Sequence, residues 1–428
     1  MAVTVETDPK LQQDGGAAAA ADSSDPPQKA ELDAGALFVL ESKGSWVHCG
    51  YHLTTSIVAP PLLSLPFALT LLGWAGGIVS LVVAALVTFY SYNLLSLVLE
   101  HQAAMGRRQL RFRDMANQIL GPRWGRYYVG PIQFMVCYGA VVACTLLGGQ
   151  CMKHINLVSL LLCLAYSACA TAASVHIGTS SSSSSQPKEY SLPGDSTQDR
   201  LFGIFNAIAI IGTTYGNGII PEIQATVAAP VKGKMFKGLC ICYAVILATF
   251  FSVGVSGYWA FGNRADGLVL SNFVDNGRPL VPKWFVLMTN VFTILQLSAV
   301  AVVYLQPTNE VLEGTFGDPT SKQFSVRNVV PRVMSRSLSV VVATVVAAML
   351  PFFGDINALI GAFGFIPLDF ILPVVFYNLT FKPSKRSLVF WLNSTIAVVF
   401  SAVGAIAAVA AVRQMSLDAK TYRLFANV

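Results

Sequence analysis

Charge is what this sequence has least of. Asp, Glu, Lys and Arg make up 12% of its 428 residues, against 54% hydrophobic ones. A soluble domain of this length needs a charged surface, so the shortage excludes one, and a mean hydropathy of +0.59 points to a polytopic membrane protein. Cysteine is present but without pattern. Cys49, Cys137, Cys144, Cys151, Cys163, Cys169, Cys240 and Cys242 sit almost wholly in apolar segments, where the residue acts as a small hydrophobe. Cys240 and Cys242 have no second Cys or His pair beside them, so neither a disulfide framework nor a bound metal is expected. The chain has no phosphate-binding glycine loop, nucleophile elbow or metal triad, which speaks against an enzyme and against any cofactor beyond a coupling proton. It has no repeated filter motif either, which speaks against a channel. A signal peptide is missing too, so the first span is expected to serve as an uncleaved targeting signal. The net charge of +6 is no sign of a nucleic-acid partner, because the cytoplasmic loops of membrane proteins collect Lys and Arg. The partners expected are a lipid bilayer and a small solute, with the oligomeric state left open.

The stretch 201–227, LFGIFNAIAIIGTTYGNGIIPEIQATV, organises what is there. It starts as an apolar helix, is interrupted by Gly212, Thr213, Thr214, Tyr215, Gly216, Asn217 and Gly218, and continues into Pro221 and Glu222. Glycines favour unwinding, Pro221 withholds an N–H, and backbone freed at bilayer depth is tolerated only in protein or beside a wet cavity. A discontinuous helix near the midplane is where many secondary transporters hold their cargo. The alternative is a helix kinked only for packing. A second break is expected in the span 46–72, where Pro60, Pro61 and Pro66 must interrupt the hydrogen-bond ladder.

Residues 1–45 carry eight acidic residues against Lys10, Lys29 and Lys43 and read as a disordered cytoplasmic tail. Residues 46–412 form the transmembrane domain and 413–428 a short C-terminal tail. Ten spans are expected: 46–72, 76–99, two within 128–178, 201–227, 238–261, 284–305, 337–352, 356–377 and 388–412. The loops with Arg107, Arg108, Arg111, Arg113, Arg123 and Arg126, and with Lys232, Lys234 and Lys237, both read as cytoplasmic. Loops on one side must be joined by an even number of crossings, yet only three spans lie between these two. Either one span is missing near Lys153 and His154, or one crossing is re-entrant, or the loop charges mislead.

Three segments carry a family resemblance. HLTTSIVAPPLLSLPFALTLLGW, YGNGIIPEIQATV and PFFGDINALIGAFGFIPLDFILPVVFYNL are similar to the plant γ-aminobutyrate (GABA) transporter branch of the amino acid/auxin permease family, with agreement spread over residues 36–428. The resemblance implies an all-α polytopic fold with eleven helices in a LeuT/APC-type five-plus-five inverted repeat, whose first and sixth helices are discontinuous. It also implies proton-coupled uptake of GABA or related small amino acids at the plasma membrane. Family members carry a further loop and their fourth helix where this chain passes from Lys153 to His154. Many also have glycine-rich sequence where it reads Val58-Ala59-Pro60-Pro61.

An amino acid zwitterion needs its carboxylate met by N–H groups and its ammonium by carbonyl oxygens, and two half-helices supply both. The substrate candidates are Thr55, Ser56, Ile57 and Val58 in the first span and Thr214, Tyr215, Gly216 and Gly218 in the broken later one. The hydroxyls among them have a plainer use, satisfying neighbouring backbone. Glu222 is the first candidate for the coupling proton, since an intramembrane carboxyl is a functional-site hypothesis by default. Asp369, two residues after Pro367, is the second. Asp355 reads as a helix cap. His48 and His52, four apart, read as an interfacial pair rather than a metal site, while Asn290, Gln296 and Ser298 either face the cavity or bond across helices. The sequons at Asn378 and Asn393 fall in a cytoplasmic loop and a span and are not expected to be glycosylated. Readings without net flux remain beside the symporter: an amino-acid-binding sensor, or a variant disabled by the lost helix.

Overall fold

The computed structural model describes residues 44–107, 109–145, 155–180, 188–194, 196–228, 231, 233–275, 278–316, 326–349 and 353–421. Residues 1–43, 146–154 and 422–428 lie outside the described residues, so the expected N-terminal tail and the Lys153–His154 junction do too. The first helix, α1 (Trp46–Ile57), is capped by Ser45, whose hydroxyl accepts from the His48 N–H. A tight 3₁₀ turn, Pro60–Ser64, follows and leads into α2 (Leu65–Ala104). Forty residues of straight helix would be roughly 60 Å long, about twice a hydrocarbon core. Gly73 prevents this by taking φ 68°, a conformation open to glycine. A methyl added at Gly77 would meet the Leu69 side chain at 2.8 Å, so the chain folds back at Gly73 and its two limbs pack together.

Next come the surface helix α3 (Phe112–Ile119), then α4 (Gly130–Thr145), α5 (Ile155–Thr179), α6 (Thr197–Tyr215), the short α7 (Ile220–Ala225) and α8 (Lys234–Phe261). A small hairpin of β1 (Val274–Asp275) and β2 (Arg278–Pro279) precedes α9 (Lys283–Phe316) and α10 (Val326–Met349). The next membrane segment comprises α11 (Phe353–Ile360), a wide π-helical stretch Gly361–Ile371, and α12 (Leu372–Phe381); α13 (Leu388–Thr421) ends the described chain. Among the described residues eight helices are long and apolar enough to cross a membrane, and the reversal at Gly73 divides the first of them. The last runs on past 412 to Thr421, through residues expected to form a tail.

The two ends of the bundle are identified by contacts. At one, the near end, Gly44 donates to the Thr226 carbonyl at 3.1 Å and Ala228 donates back to Gly44 at 2.9 Å, joining the start of α1 to the end of α7. At the other, the far end, Gly73 lies against Leu192, and the Asn263 N–H reaches the Glu189 carbonyl at 2.9 Å. With these ends fixed, successive segments alternate in direction with one exception. α4 climbs from the near half, where Gln133 meets Glu222, to the far half, where Gly139 packs under Ile360. α5 also climbs, passing Tyr166 at the level of Val58 and ending with Gly178 against Trp259 at the far end of α8. Two consecutive segments therefore run the same way, with residues 146–154 between them.

Candidate functional site

Both expected interruptions are present and they face each other. In the first, Ala59 leaves the helix at φ −109°, ψ 173°, and Pro60 and Pro61 have no N–H to offer the carbonyls one turn earlier. The Ile57 carbonyl takes the Ala59 N–H at 2.7 Å. Those of Val58 and Ala59 turn to the Tyr166 hydroxyl at 3.4 and 3.3 Å, and that of Ser56 to the Tyr304 hydroxyl at 3.5 Å. In the second, α6 stops at Tyr215, Gly216 is extended at ψ 146°, and helix resumes only at Ile220. Gly216 is required by packing, because a methyl there would overlap the Phe365 ring.

Asn217, with 0% of its surface exposed, is the hinge between the breaks. Its main-chain N–H donates to Asp369 Oδ2 at 2.9 Å, its Nδ2 donates to Ser56 Oγ at 2.8 Å, and its Oδ1 accepts from the Ile219 N–H at 3.2 Å. Asp369, also at 0%, reaches this point from the π-helical stretch of the α11–α12 segment, with the Tyr92 hydroxyl beside it. Nearer the near end, Gln133 donates to both Glu222 Oε1 at 3.0 Å and the Gly218 carbonyl at 3.3 Å. Toward the far end Thr213 Oγ1 bonds the Asn357 carbonyl, Asn357 Nδ2 donates to Ser64 Oγ at 3.0 Å, and Ser64 Oγ donates to Gly267 O at 2.6 Å.

Between these contacts lies a cavity of about 30 Å³, walled by Ser56, Ile57, Pro60, Gly216, Tyr304 and Phe365 among others. A water needs on the order of 10–15 Å³ of such space, so the cavity has room for water and not for an amino acid. Of the expected substrate residues, Ser56, Ile57 and Gly216 line it. Val58 presents its carbonyl to Tyr166 instead, and Gly218 abuts Val136. The hydroxyls of Thr55 and Thr214 bond the carbonyls of His52 and Ile210 within their own helices, and that of Thr214 also reaches the Pro61 carbonyl of the first break at 3.5 Å. Tyr215 stacks edge-on against Phe250, away from the cavity.

Other expectations resolve locally. His48 and His52 approach each other at 2.9 Å, and Tyr51 joins them through His48 Nδ1. Asp355 sits in the first turn of α11. Gln296 accepts from Ser159 of α5 at 2.8 Å, Ser298 bonds its own helix at Ile294, and Asn290 is exposed. The two sequon asparagines pair with each other at 2.8 Å. Tyr92, Gln133, Tyr166, Tyr304 and Asn357 are the site residues that sequence reasoning missed. None of them stands in a motif or spacing that marks it out from its polar neighbours.

Comparison with known proteins adds the following. A family model described as transmembrane amino acid transporter protein matches residues 42–157 and 150–417, its two pieces meeting beside Lys153 and His154. GABA transporter 1 of Arabidopsis thaliana is 60% identical over 437 aligned positions, covering 93% of this chain and 96% of that one. Lysine histidine transporter-like 1 of the same plant is 25% identical over 93% of this chain and 94% of its own. A solved Na+-coupled sialic acid symporter aligns over 92% of the chain and 94% of its own, at 12% identity and a TM-score of 0.44, a likeness too loose to argue from.

Proposed function

Because the chain belongs to the transmembrane amino acid transporter family, on a match covering most of its length and 60% identity to a plant relative, we propose that it is a proton-coupled symporter for GABA or a related small amino acid. It is a multi-pass membrane transporter and not an enzyme. The finer reading is a LeuT/APC-type five-plus-five repeat in the plasma membrane with a cytoplasmic N-terminus. The observation that supports the transport reading is the 2.8 Å contact of Asn217 with Ser56, which brings two interrupted helices together beside a small, largely apolar cavity.

The chemistry follows from what each break offers. The carbonyls of Ser56, Val58 and Ala59 suit the substrate's ammonium, and their tyrosine partners stand in for it in the closed state. The N–H groups of the restarting second helix suit its carboxylate once they are released, since those of Gly216, Asn217 and Ile219 are held here by the Thr213 carbonyl, Asp369 Oδ2 and Asn217 Oδ1. Glu222 and Asp369 are the two carboxyls close enough to carry the coupling proton. The test is uptake of radiolabelled GABA into vesicles with and without a pH gradient, beside a Glu222→Gln variant. Exchange that persists without gradient-driven accumulation supports Glu222 as a carrier, and unchanged accumulation removes it.

A second reading is favoured by the parallel course of α4 and α5. A return crossing needs about 20 residues, and only 146–154 are available. The alignment with the 60%-identical relative spans 437 positions, more than the 428 residues of this chain, although it takes in only 93% of it. The relative therefore holds residues that this chain lacks, and the break in the family match falls at the same place. On this reading the relatives' fourth helix is missing, and the chain transports weakly or not at all. Robust proton-dependent uptake by the chain as it stands would refute that reading. Binding without accumulation would identify a sensor or a disabled variant.

A further inference from the structure

We propose that Asn217 is the positioning residue that links the Asp369 carboxyl to the substrate-facing backbone of the first break, so that proton and amino acid are sensed through one residue. The inference rests on the transport reading above and deepens it. Asn217 belongs to the second break, yet three of its polar groups have different tasks. The main-chain N–H holds Asp369, the side-chain amide holds Ser56, and the side-chain oxygen holds the Ile219 N–H two residues on. The last contact fixes the orientation of the amide. With the oxygen committed to an N–H donor, only the nitrogen remains for Ser56.

Ser56 Oγ completes the link, because its proton goes to the Leu53 carbonyl at 2.9 Å and its lone pair is free to accept from Asn217. The Ser56 carbonyl meets Tyr304 at the cavity wall. A change at Asp369 is thus two hydrogen bonds away from a carbonyl placed to meet a ligand. When the carboxyl gains a proton its hold on the Asn217 N–H weakens, since a charged acceptor binds about twice as strongly as a neutral one. Asn217 is then free to shift, and with it Ser56. No other residue type serves as well. Aspartate has no amide donor for Ser56, and glutamine is one methylene too long for the local turn with Ile219.

The titratable groups facing Asp369 are Tyr92 from α2, Cys137 from α4 and Tyr243 from α8. Cys137 also faces Glu222. Tyrosine and cysteine ordinarily titrate above about pH 8, so among these facing groups only the two carboxyls belong to the acid range. Glu222→Gln in every background separates them.

The experiment measures the Kd for radiolabelled GABA on the purified full-length protein in lipid nanodiscs, at about pH 5.5 and about pH 7.5. For the wild-type chain the ratio of the two values is expected at about tenfold, within the usual range for coupled sites. Asn217→Ser keeps a hydroxyl that can cap Ile219 but cannot reach Ser56. It should bring the ratio to within about twofold of one. Ser56→Ala cuts the same link from the other side and should do likewise, with the double variant adding nothing further. A tenfold ratio retained in Asn217→Ser, or in Ser56→Ala where the first variant does not fold, overturns the inference alone. A wild-type chain that binds GABA with no pH dependence, or does not bind it at any pH, removes the transport reading and this inference with it.

Discussion

The break between α1 and α2 is made by prolines, the break between α6 and α7 by glycines around an asparagine, and the two are held in opposite ways. The prolines delete donors, so the first break is rich in carbonyls, and the hydroxyls that cover them stand at 3.3 to 3.5 Å. Hydrogen bonds at that distance are weak. The second break keeps its N–H groups and uses them, that of Asn217 on Asp369 at 2.9 Å and that of Ile219 on Asn217 Oδ1 at 3.2 Å, while the Tyr215 carbonyl takes the Tyr92 hydroxyl at 2.9 Å. The first break is therefore covered loosely by groups that a ligand's ammonium can replace, while the second is pinned to three other helices. The difference separates a gripping surface from the scaffold that positions it.

The largest effect is expected where the scaffold admits no atom at all. A methyl added at Gly361, which opens the π-helical stretch, would overlap the Ala209 carbonyl oxygen of α6 and crowd Thr213 Oγ1. Backbone cannot move aside as a flexible side chain can, so Gly361→Ala is expected to cost about 3 kcal/mol by overpacking. Thermal melting in detergent should show a large drop, and the folded fraction should fall before any binding is measured. A melting temperature within error of the parent would mean that the second break is not pinned as described.

Tyr92→Phe tests the same scaffold more gently. The hydroxyl bonds the last carbonyl of α6 with full burial and good length, so its loss should cost about 1 kcal/mol. Melting should register the change. The Kd for GABA should shift by less than about threefold, because the bond belongs to the frame and not to the grip.

How much of this was legible beforehand follows from what each residue does locally. Pro60 and Pro61 announce a break because they delete donors wherever they stand, and Gly216 and Gly218 because they lower the cost of leaving a helix. The reversal at Gly73 falls between the expected spans 46–72 and 76–99, where apolar sequence had to be divided by length alone. The directional conflict between α4 and α5 was visible in the basic loops at Arg107–Arg126 and Lys232–Lys237, since counting crossings needs no coordinates. The partners of the breaks were not legible. Tyr166 and Tyr304 lie more than 100 residues from the carbonyls they cover, and nothing near either one marks it as different from a packed tyrosine. Asn217 was read as part of an interruption, but its reach to Ser56, across 161 positions, exists only in the folded chain.

The smallest expected effect sharpens the contrast most, because it asks for a near-absence of effect at a fully buried polar group. The Tyr304 hydroxyl stands 3.5 Å from the Ser56 carbonyl, at the outer limit of a hydrogen bond, and the residue is 2% exposed. Burial alone would argue that removing this hydroxyl is costly, as at Tyr92. The length argues otherwise, since a bond this weak returns little of the desolvation it requires. The Ser56 contact is therefore expected to account for less than about 0.5 kcal/mol of what Tyr304→Phe costs, half or less of the Tyr92→Phe cost. The carbonyl it uncovers faces the cavity, so the affinity for an ammonium-bearing ligand should stay level or rise, since the hydroxyl no longer competes for that oxygen. Melting curves of the two variants side by side decide the matter. Equal losses would mean that both breaks are held alike and that the division into grip and scaffold fails.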